Sequence, residues 1–473
     1  MVFSDLLFIY LFLPLCLVLY YIIGNKTWKN GILIIFSLIF YSFGEPVWVC
    51  LLILSSICDY LCGLFIEKHR KEKKKTAGLV ISLIFNIGIL ALFKYGGFIV
   101  SNVNALAGTD LAVPDNILPP LGISFYTFQT LSYTIDVYRG KVEVQHSFFR
   151  FLLYVSMFFQ LVAGPIVRYS DICGELDGRK VTAADISQGF SRFALGLGKK
   201  VIIANCVGEI ADEFLLFENT PDSVLALWSG IILYSLQIYF DFSGYSDMAI
   251  GIGRLFGFHL PENFNYPYIS KSASEFWRRW HITMGSFFRD YVYIPMGGNR
   301  RHQALNIAVV WLLTGLWHGA SWNFVIWGAY FGILVTAEKF FTGKILEKLP
   351  SFLSHTYLLI CVIFGWIIFY YEDLSDMKNC LTGMFGGMDI PLYDDVTLSR
   401  LAGICFVIAA AVIFSCPVFK IFKEKAMNAA EISVPASAAL TLIWDMLIIA
   451  VFIASSLLLA KQAGFNPFLY FRF

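Results

Sequence analysis

Apolar runs recur from one end of this chain to the other, on the scale of a hydrocarbon core about 30 Å thick, which takes roughly 20 helical residues to cross. The first covers residues 6–24, and two more, 31–43 and 47–66, flank the turn Gly44, Glu45, Pro46. Residues 77–100 follow. Pro119 and Pro120 then open LGISFYTFQTLSYTIDVYRG, whose Gln129, Ser132, Thr134 and Asp136 make it too polar to face lipid. Residues 148–165 are apolar but lie between Arg150 and Arg168, which puts both ends on one side and predicts a re-entrant segment. Irregular backbone at membrane depth needs protein or water around it, so a cavity is implied there. Residues 201–216, 224–252, 305–316, 324–341, 357–371, 401–419 and 438–460 complete the set. The pattern predicts an all-α polytopic membrane protein with about 11–12 transmembrane helices, plus re-entrant and interfacial helices, and excludes barrel strands. There is no internal repeat or inverted two-half hydropathy, which argues against a secondary transporter.

Composition agrees. Of 473 residues, 58% are hydrophobic and 15% charged, and the mean hydropathy is +0.68, which leaves no soluble domain of useful size. A net charge of +1 gives no argument for a nucleic-acid partner. The ten cysteines contain no CxxC pair, and Cys58 with Cys62 on one apolar helix face reads as packing, not metal binding. The N-terminus lacks the basic region and small-residue cleavage site of a removable signal peptide, so the first span is expected to be retained.

Local charge gives an orientation. The short basic loop EKHRKEKKK at residues 67–75 is placed on the cytoplasmic side, which puts the N-terminus and the Lys- and Arg-free residues 101–116 outside. Arg179, Lys180, Arg192, Lys199, Lys200, Arg254, Lys420, Lys423 and Lys425 fall inside on this count. The acidic loops around Glu218 and Asp222, and at Glu372, Asp373, Asp376, Asp394 and Asp395, fall outside with the C-terminal FNPFLYFRF.

Two aromatic-rich segments each present one histidine: residues 272–301, SASEFWRRWHITMGSFFRDYVYIPMGGNRR, and residues 311–327, WLLTGLWHGASWNFVIW. Ser272 to Glu275 fits a capping box, so a helix is expected to start near Ala273. On a helical wheel Trp277, Trp280, Met284, Phe287, Phe288 and Tyr291 share one face, and Arg278, Arg279, Ser286, Arg289 and Asp290 the other. That predicts one helix along the cytoplasmic interface, with His281 at the edge of its apolar face. A membrane-surface anchor fits the same pattern. His318 sits at the bend HGASWN of a hairpin, with Thr314 one turn away and Asn323 just beyond. An imidazole there can act as a general base near neutral pH, or simply hydrogen-bond between packed helices. Asp241, in an apolar run with Ser243, Tyr245 and Asp247, needs a partner, either as part of a polar channel or in a structural pair with an arginine. HExxH, GxSxG, P-loop and dinucleotide fingerprints are missing, so those chemistries have no support in the sequence.

With these residues in view, the chain resembles the membrane-bound O-acyltransferase family, in its alginate O-acetyltransferase-like branch. LPPLGISFYTFQTLSYTIDVYRG, FFQLVAGPIVRYSDI, QIYFDFSGYSDMAIGIGRLFGFHLPENFNYPY, SEFWRRWHITMGSFFRDYVYIPMGGNR, WLLTGLWHGASWNFVIWG and FNPFLYFRF carry the resemblance. It implies a ring of helices around a thin centre with a funnel. A single membrane domain would span residues 1–473, with N-terminal helices in 1–118, the core and both histidines in 119–341, and C-terminal helices in 342–473. His318 matches the family's WHG histidine and His281 its RRWH histidine. The location implied is a bacterial cytoplasmic membrane.

The resemblance further implies acetyl transfer from a cytoplasmic thioester, acetyl-coenzyme A or an acyl-phosphopantetheine carrier protein, to hydroxyls of an extracytoplasmic polysaccharide. No bound cofactor is expected, and an exported esterase-like partner is a possible second component. Arg278, Arg279 and Arg289 would receive the donor with His281 helping to orient it. His318 would deprotonate the hydroxyl, or carry a transient acyl group. Trp280, Asp290, Thr314, Trp317, Asn323 and Asp241 would position substrates or catalytic groups. Three alternatives stay open: D-alanyl transfer to teichoic acid by the related branch, a transporter or flippase without bond chemistry, and an assembly scaffold.

Overall fold

The computed structural model describes residues 1–113, 119–216, 221–430 and 434–461. Expectations for Asn116, Glu218 and the FNPFLYFRF tail lie outside the described residues. Among the described residues the regular elements are all helical. Six helices are long and apolar enough to cross a membrane: Val49–Lys68, Lys75–Ala107, Val224–Leu255, Trp322–Leu346, Ser351–Tyr370 and Pro435–Lys461. The pair Asp395–Gly403 and Cys405–Phe414, bent by 59°, makes a seventh if counted as one span. Other predicted crossings fall on shorter helices, such as Lys26–Ser42, Asn205–Leu215 and Gln303–His318.

The chain divides into two compact units. The first comprises Met1–Phe190, Ala249–Glu262 and Ser286–Pro295. In it, Val49–Lys68, Lys75–Leu90 and Ile123–Arg139 pack together around the buried carboxylate of Asp59. That carboxylate accepts hydrogen bonds from Ser82, from Asn86 at 2.8 Å and from Thr134 at 3.0 Å. A carboxyl group at membrane depth requires such hydrogen-bond partners. The polar segment predicted to avoid lipid is accordingly interior, with Gln129, Ser132 and Thr134 buried. The apolar stretch after it is two short helices, Phe148–Ser156 and Phe158–Leu161, broken at Met157. The buried irregular backbone that follows is held by Tyr154, whose hydroxyl bonds the carbonyls of Gln129 at 3.0 Å and Val167 at 3.1 Å.

Arg289 and Asp290 belong to this unit. Asp290 pairs with Arg168 at 2.8 Å and with Arg289 at 2.7 Å, and the Arg168 guanidinium lies 5.2 Å above the Tyr291 ring. Burial raises the Asp290 carboxyl, but hydrogen bonds from Arg289 and Arg168 outweigh it and hold it down to about 2. Arg289 is thus engaged with Asp290, which also holds Arg168.

The second unit comprises Ser191–Met248, Asn263–Gly285 and Met296–Phe473. Two glycines fix a close crossing in it. A Cβ on Gly196 would lie 2.6 Å from the Gly244 carbonyl, and one on Gly244 would lie 2.7 Å from that of Gly196. This approach of backbones sets the lysines after Gly196 against the carboxylates of Val224–Leu255. Lys200 pairs with Asp241 at 2.6 Å, both almost fully buried, and Lys199 with Asp247 at 2.6 Å, where Arg192 also contributes at 2.7 Å. The structural pair that was one of the two readings of Asp241 is made with Lys200 and not with an arginine, and the charge count had placed Lys200 on the cytoplasmic side.

Candidate active site

The helices Gln303–His318 and Trp322–Ala337 form the predicted hairpin, and His318 is the last residue of the first. The crossing depends on glycine: a Cβ on Gly328 would lie 2.5 Å from the Trp311 carbonyl and 3.2 Å from the Gly315 Cα. The bend is pinned by Asn323. Its Oδ1 accepts from the Ser321 hydroxyl, and its Nδ2 donates to the Phe369 carbonyl at 3.3 Å. His318, 8% exposed, is packed against aromatic rings at near-perpendicular angles, with centroids 5.0 Å from Trp317, 5.1 Å from Trp327 and 5.3 Å from Phe369.

The second histidine segment departs from the predicted single helix. It comprises two seven-residue helices, Ala273–Arg279 and Ile282–Phe288, and a π-helical turn Arg289–Tyr293. The first begins at Ala273, as the capping box predicts, with Ser272 Oγ accepting from the Glu275 N–H at 3.1 Å. Between the helices Trp280 is extended and His281 has φ +45°. That left-handed conformation is uncommon for a residue with a Cβ and persists only where surroundings impose it. Here the residues around Asn263 impose it. The Asn263 carbonyl accepts from the Ile282 N–H at 2.9 Å, and the Asn265 N–H donates to the Arg279 carbonyl at 2.9 Å. They replace helix bonds that the break removes.

The break turns His281 fully inward, to 0% exposure. Its Nδ1 is 3.0 Å from Asn263 Oδ1, its ring is 4.8 Å from Phe242 and 5.6 Å from Trp317. Burial alone pushes the imidazole down to about 3, so it is neutral throughout the physiological range. Trp317 therefore touches both histidines. The same unit ties this helix pair to the hairpin twice over. The Glu338 carboxylate accepts from the Ala273 N–H at 2.6 Å and the Ser274 N–H at 2.8 Å, and Trp277 lies 4.9 Å from Trp311 and 5.3 Å from Trp327.

The other expected site residues divide. Trp280 is a core residue stacked on Phe276 and 5.0 Å from Trp366. Thr314 spends its hydroxyl proton on the Val310 carbonyl at 2.7 Å, and Asn323 pins the bend. Arg279 is held by Glu275 at 3.0 Å and the Asn265 carbonyl at 3.2 Å, while Arg278 is exposed. Asp241 belongs to the ion pair with Lys200. Two residues beside the histidines went unremarked in the sequence, Asn263 and Thr283. LPENFNYPY, flanked by prolines and rich in asparagine, was the signal that pointed there. Among the described residues, no group of three or more His, Cys, Asp or Glu side chains is arranged to hold a metal ion.

A helical membrane protein that buries two histidines in one aromatic cluster has the elements of a proton-transfer site shielded from water. The sequence model of the MBOAT, membrane-bound O-acyltransferase family, matches residues 40–375, and the chain belongs to that family. It is therefore an acyltransferase, and the resemblance carried by its motifs is borne out. A Pseudomonas putida protein described as "Probable alginate O-acetylase AlgI" is 35% identical over 491 residues, covering 100% of each chain. The "Peptidoglycan O-acetyltransferase" of Helicobacter pylori is 34% identical over 423 residues, 82% of this chain and 80% of that one. The related D-alanyl branch is represented by the "Teichoic acid D-alanyltransferase" of Bacillus subtilis, 30% identical over 281 residues, 55% of this chain and 70% of that protein.

Proposed function

We propose that this protein transfers acetyl groups from a cytoplasmic thioester donor to hydroxyls of an extracytoplasmic polysaccharide, directly or through a partner protein. The acetyl reading is supported by relatives named for O-acetyl chemistry that align over the whole chain, against 55% of it for the D-alanyltransferase. The orientation follows the basic loop at residues 67–75, with both termini outside. His318 removes the proton of the acceptor hydroxyl as it attacks the thioester carbonyl, and the thiolate of the donor leaves. His281 lines the same site. Exposed Arg278, with Arg279 beside it, offers positive charge to the anionic donor.

One observation carries this reading: the Trp317 indole lies 5.6 Å from His281 and 5.0 Å from His318, so two histidines far apart in sequence share one dry aromatic cluster. A buried imidazole in such a place has a larger role than anchoring the chain at the membrane surface. The test is polymer-bound O-acetyl in cells carrying wild type, His318→Ala or His281→Ala at matched membrane abundance. His318→Ala is expected to lower transfer by about 10²–10⁴-fold, the usual contribution of a general base. Retained acetylation in that variant would return His318 to a packing role, and loss of D-alanyl ester in place of acetyl would reassign the substrate.

A further inference from the structure

Asn263 sits, 1% exposed, where three hydrogen bonds converge on one atom. Its Oδ1 lies 3.3 Å from the Thr283 backbone N–H, 2.8 Å from the Thr283 hydroxyl and 3.0 Å from His281 Nδ1. The backbone N–H can only donate, so the atom facing it is the amide oxygen. An amide oxygen can only accept, so His281 Nδ1 carries the proton. In a neutral imidazole the other nitrogen is then a lone-pair acceptor. On the far side the Asn263 Nδ2 donates to Ser246 Oγ at 3.2 Å, but a hydroxyl can donate as well as accept, so it is the Thr283 N–H that sets the sense of the amide. His281 Nε2 is buried and, among the described residues, has no hydrogen-bond partner. A buried acceptor without a donor costs free energy, and the protein adds to that cost the left-handed backbone at His281.

We propose that Asn263 is a positioning residue for the transfer reaction: it holds His281 as the Nδ1–H tautomer, so that Nε2 is kept open to accept a hydrogen bond from a second hydroxyl of the acceptor, beside the one whose proton His318 takes. This rests on the reading that acyl transfer takes place at the two histidines. The role suits a polyhydroxylated substrate, because an Nε2 lone pair selects a hydrogen-bond donor, and holding one hydroxyl there fixes how its neighbour is presented to His318 and the thioester carbonyl. His281 stays neutral in this role. Phe242, Trp317 and Asn263 pack on or bond the ring, and none of them titrates or carries charge. A histidine held in the wrong tautomer cannot accept at the required nitrogen however well it is placed.

The experiment compares Asn263→Leu, Asn263→Asp and Ser246→Ala with wild type in two readouts. The first is polymer-bound O-acetyl at matched membrane abundance. The second is the ring-nitrogen signature of His281 in histidine-¹⁵N spectra of the full-length protein, assigned by difference against His281→Gln. Asn263→Leu removes the acceptor and is expected to move the His281 proton off Nδ1 and to lower acetyl transfer about 10-fold or more. Asn263→Asp keeps an acceptor. It should preserve the Nδ1–H signature and most of the activity at alkaline pH, while its charge raises the imidazolium into the range of about pH 5–8. Ser246→Ala leaves the acceptor in place, and its transfer should stay within about twofold of wild type. The inference is overturned if Asn263→Leu leaves the signature unchanged, or if the signature changes while acetylation persists. Either result, alongside a His318→Ala variant that is inactive, leaves the proposed function standing. Retained acetylation in His318→Ala would remove that function and this role together.

Discussion

Two lysines adjacent in sequence, Lys199 and Lys200, reach carboxylates six residues apart on one helix, about 9 Å along its axis. Lys200 and Asp241 are 3% and 2% exposed, so neither charge is solvated by bulk water. Breaking such a pair strips a buried charge of its counter-ion and costs about 3–5 kcal/mol, whereas replacing both partners by apolar groups is often neutral. Lys200→Met is therefore expected to lower the thermal midpoint of the purified protein and its membrane abundance, and Lys200→Met with Asp241→Leu to recover most of both. Equal stability of the single variant and wild type would show that the pair is replaceable. The sequence flagged Asp241 correctly as an acid in need of a partner. It could not name the partner, because Lys200 stands beside Lys199 in a run that reads as a solvated basic patch. Thr314 and Asn323 were drawn into the site by nearness to His318, yet what a side chain does with its hydrogen bonds depends on neighbours in space. Thr314 bonds its own helix and Asn323 holds the bend.

At the scale of the element, the hairpin carrying His318 rests on backbone contact between Gly315 and Gly328. A methyl group at position 328 meets the Trp311 carbonyl at 2.5 Å, and backbone cannot rotate aside as a side chain can. Gly328→Ala is expected to part the hairpin, destabilise the protein by about 1–3 kcal/mol as overpacking does, and reduce acetyl transfer through His318. Gly31, on the helix Lys26–Ser42, is the matched control: a Cβ there meets nothing within 4 Å, and Gly31→Ala should hold stability or raise it by about 0.5–1 kcal/mol. Thermal unfolding of both variants decides whether the loss follows the crossing or merely the added methyl. The hairpin was legible because basic flanks, two glycines and a polar bend agree. The break at His281 was not. No glycine or proline marks Trp280 or His281, the apolar residues of 272–291 fit one helical face, and the pairing that opens the helix comes from Asn263 and Asn265, more than a dozen residues upstream.

At the scale of the whole molecule, orientation decides from which side the donor arrives. The positive-inside argument counted Arg192, Lys199 and Lys200 as solvated cations, but the structure engages all three with Asp247 and Asp241. Cations committed to buried or half-buried carboxylates exert little pull on topology, so these three drop out and the orientation rests above all on the loop at residues 67–75. There Arg70, Lys71, Lys73 and Lys74 remain exposed. That loop joins two of the six long apolar helices, Val49–Lys68 and Lys75–Ala107, and the far end of the second carries Leu106, 90% exposed. The proposed orientation thus makes a paired prediction, in a background where the exposed Cys50 and Cys405 are replaced by serine. On intact cells a membrane-impermeant maleimide should label Leu106→Cys and spare Lys71→Cys, which should react only after permeabilisation. The reverse pattern would invert the chain, place the basic surface outside and remove the cytoplasmic thioester from the proposed reaction, while leaving the two buried histidines where they are.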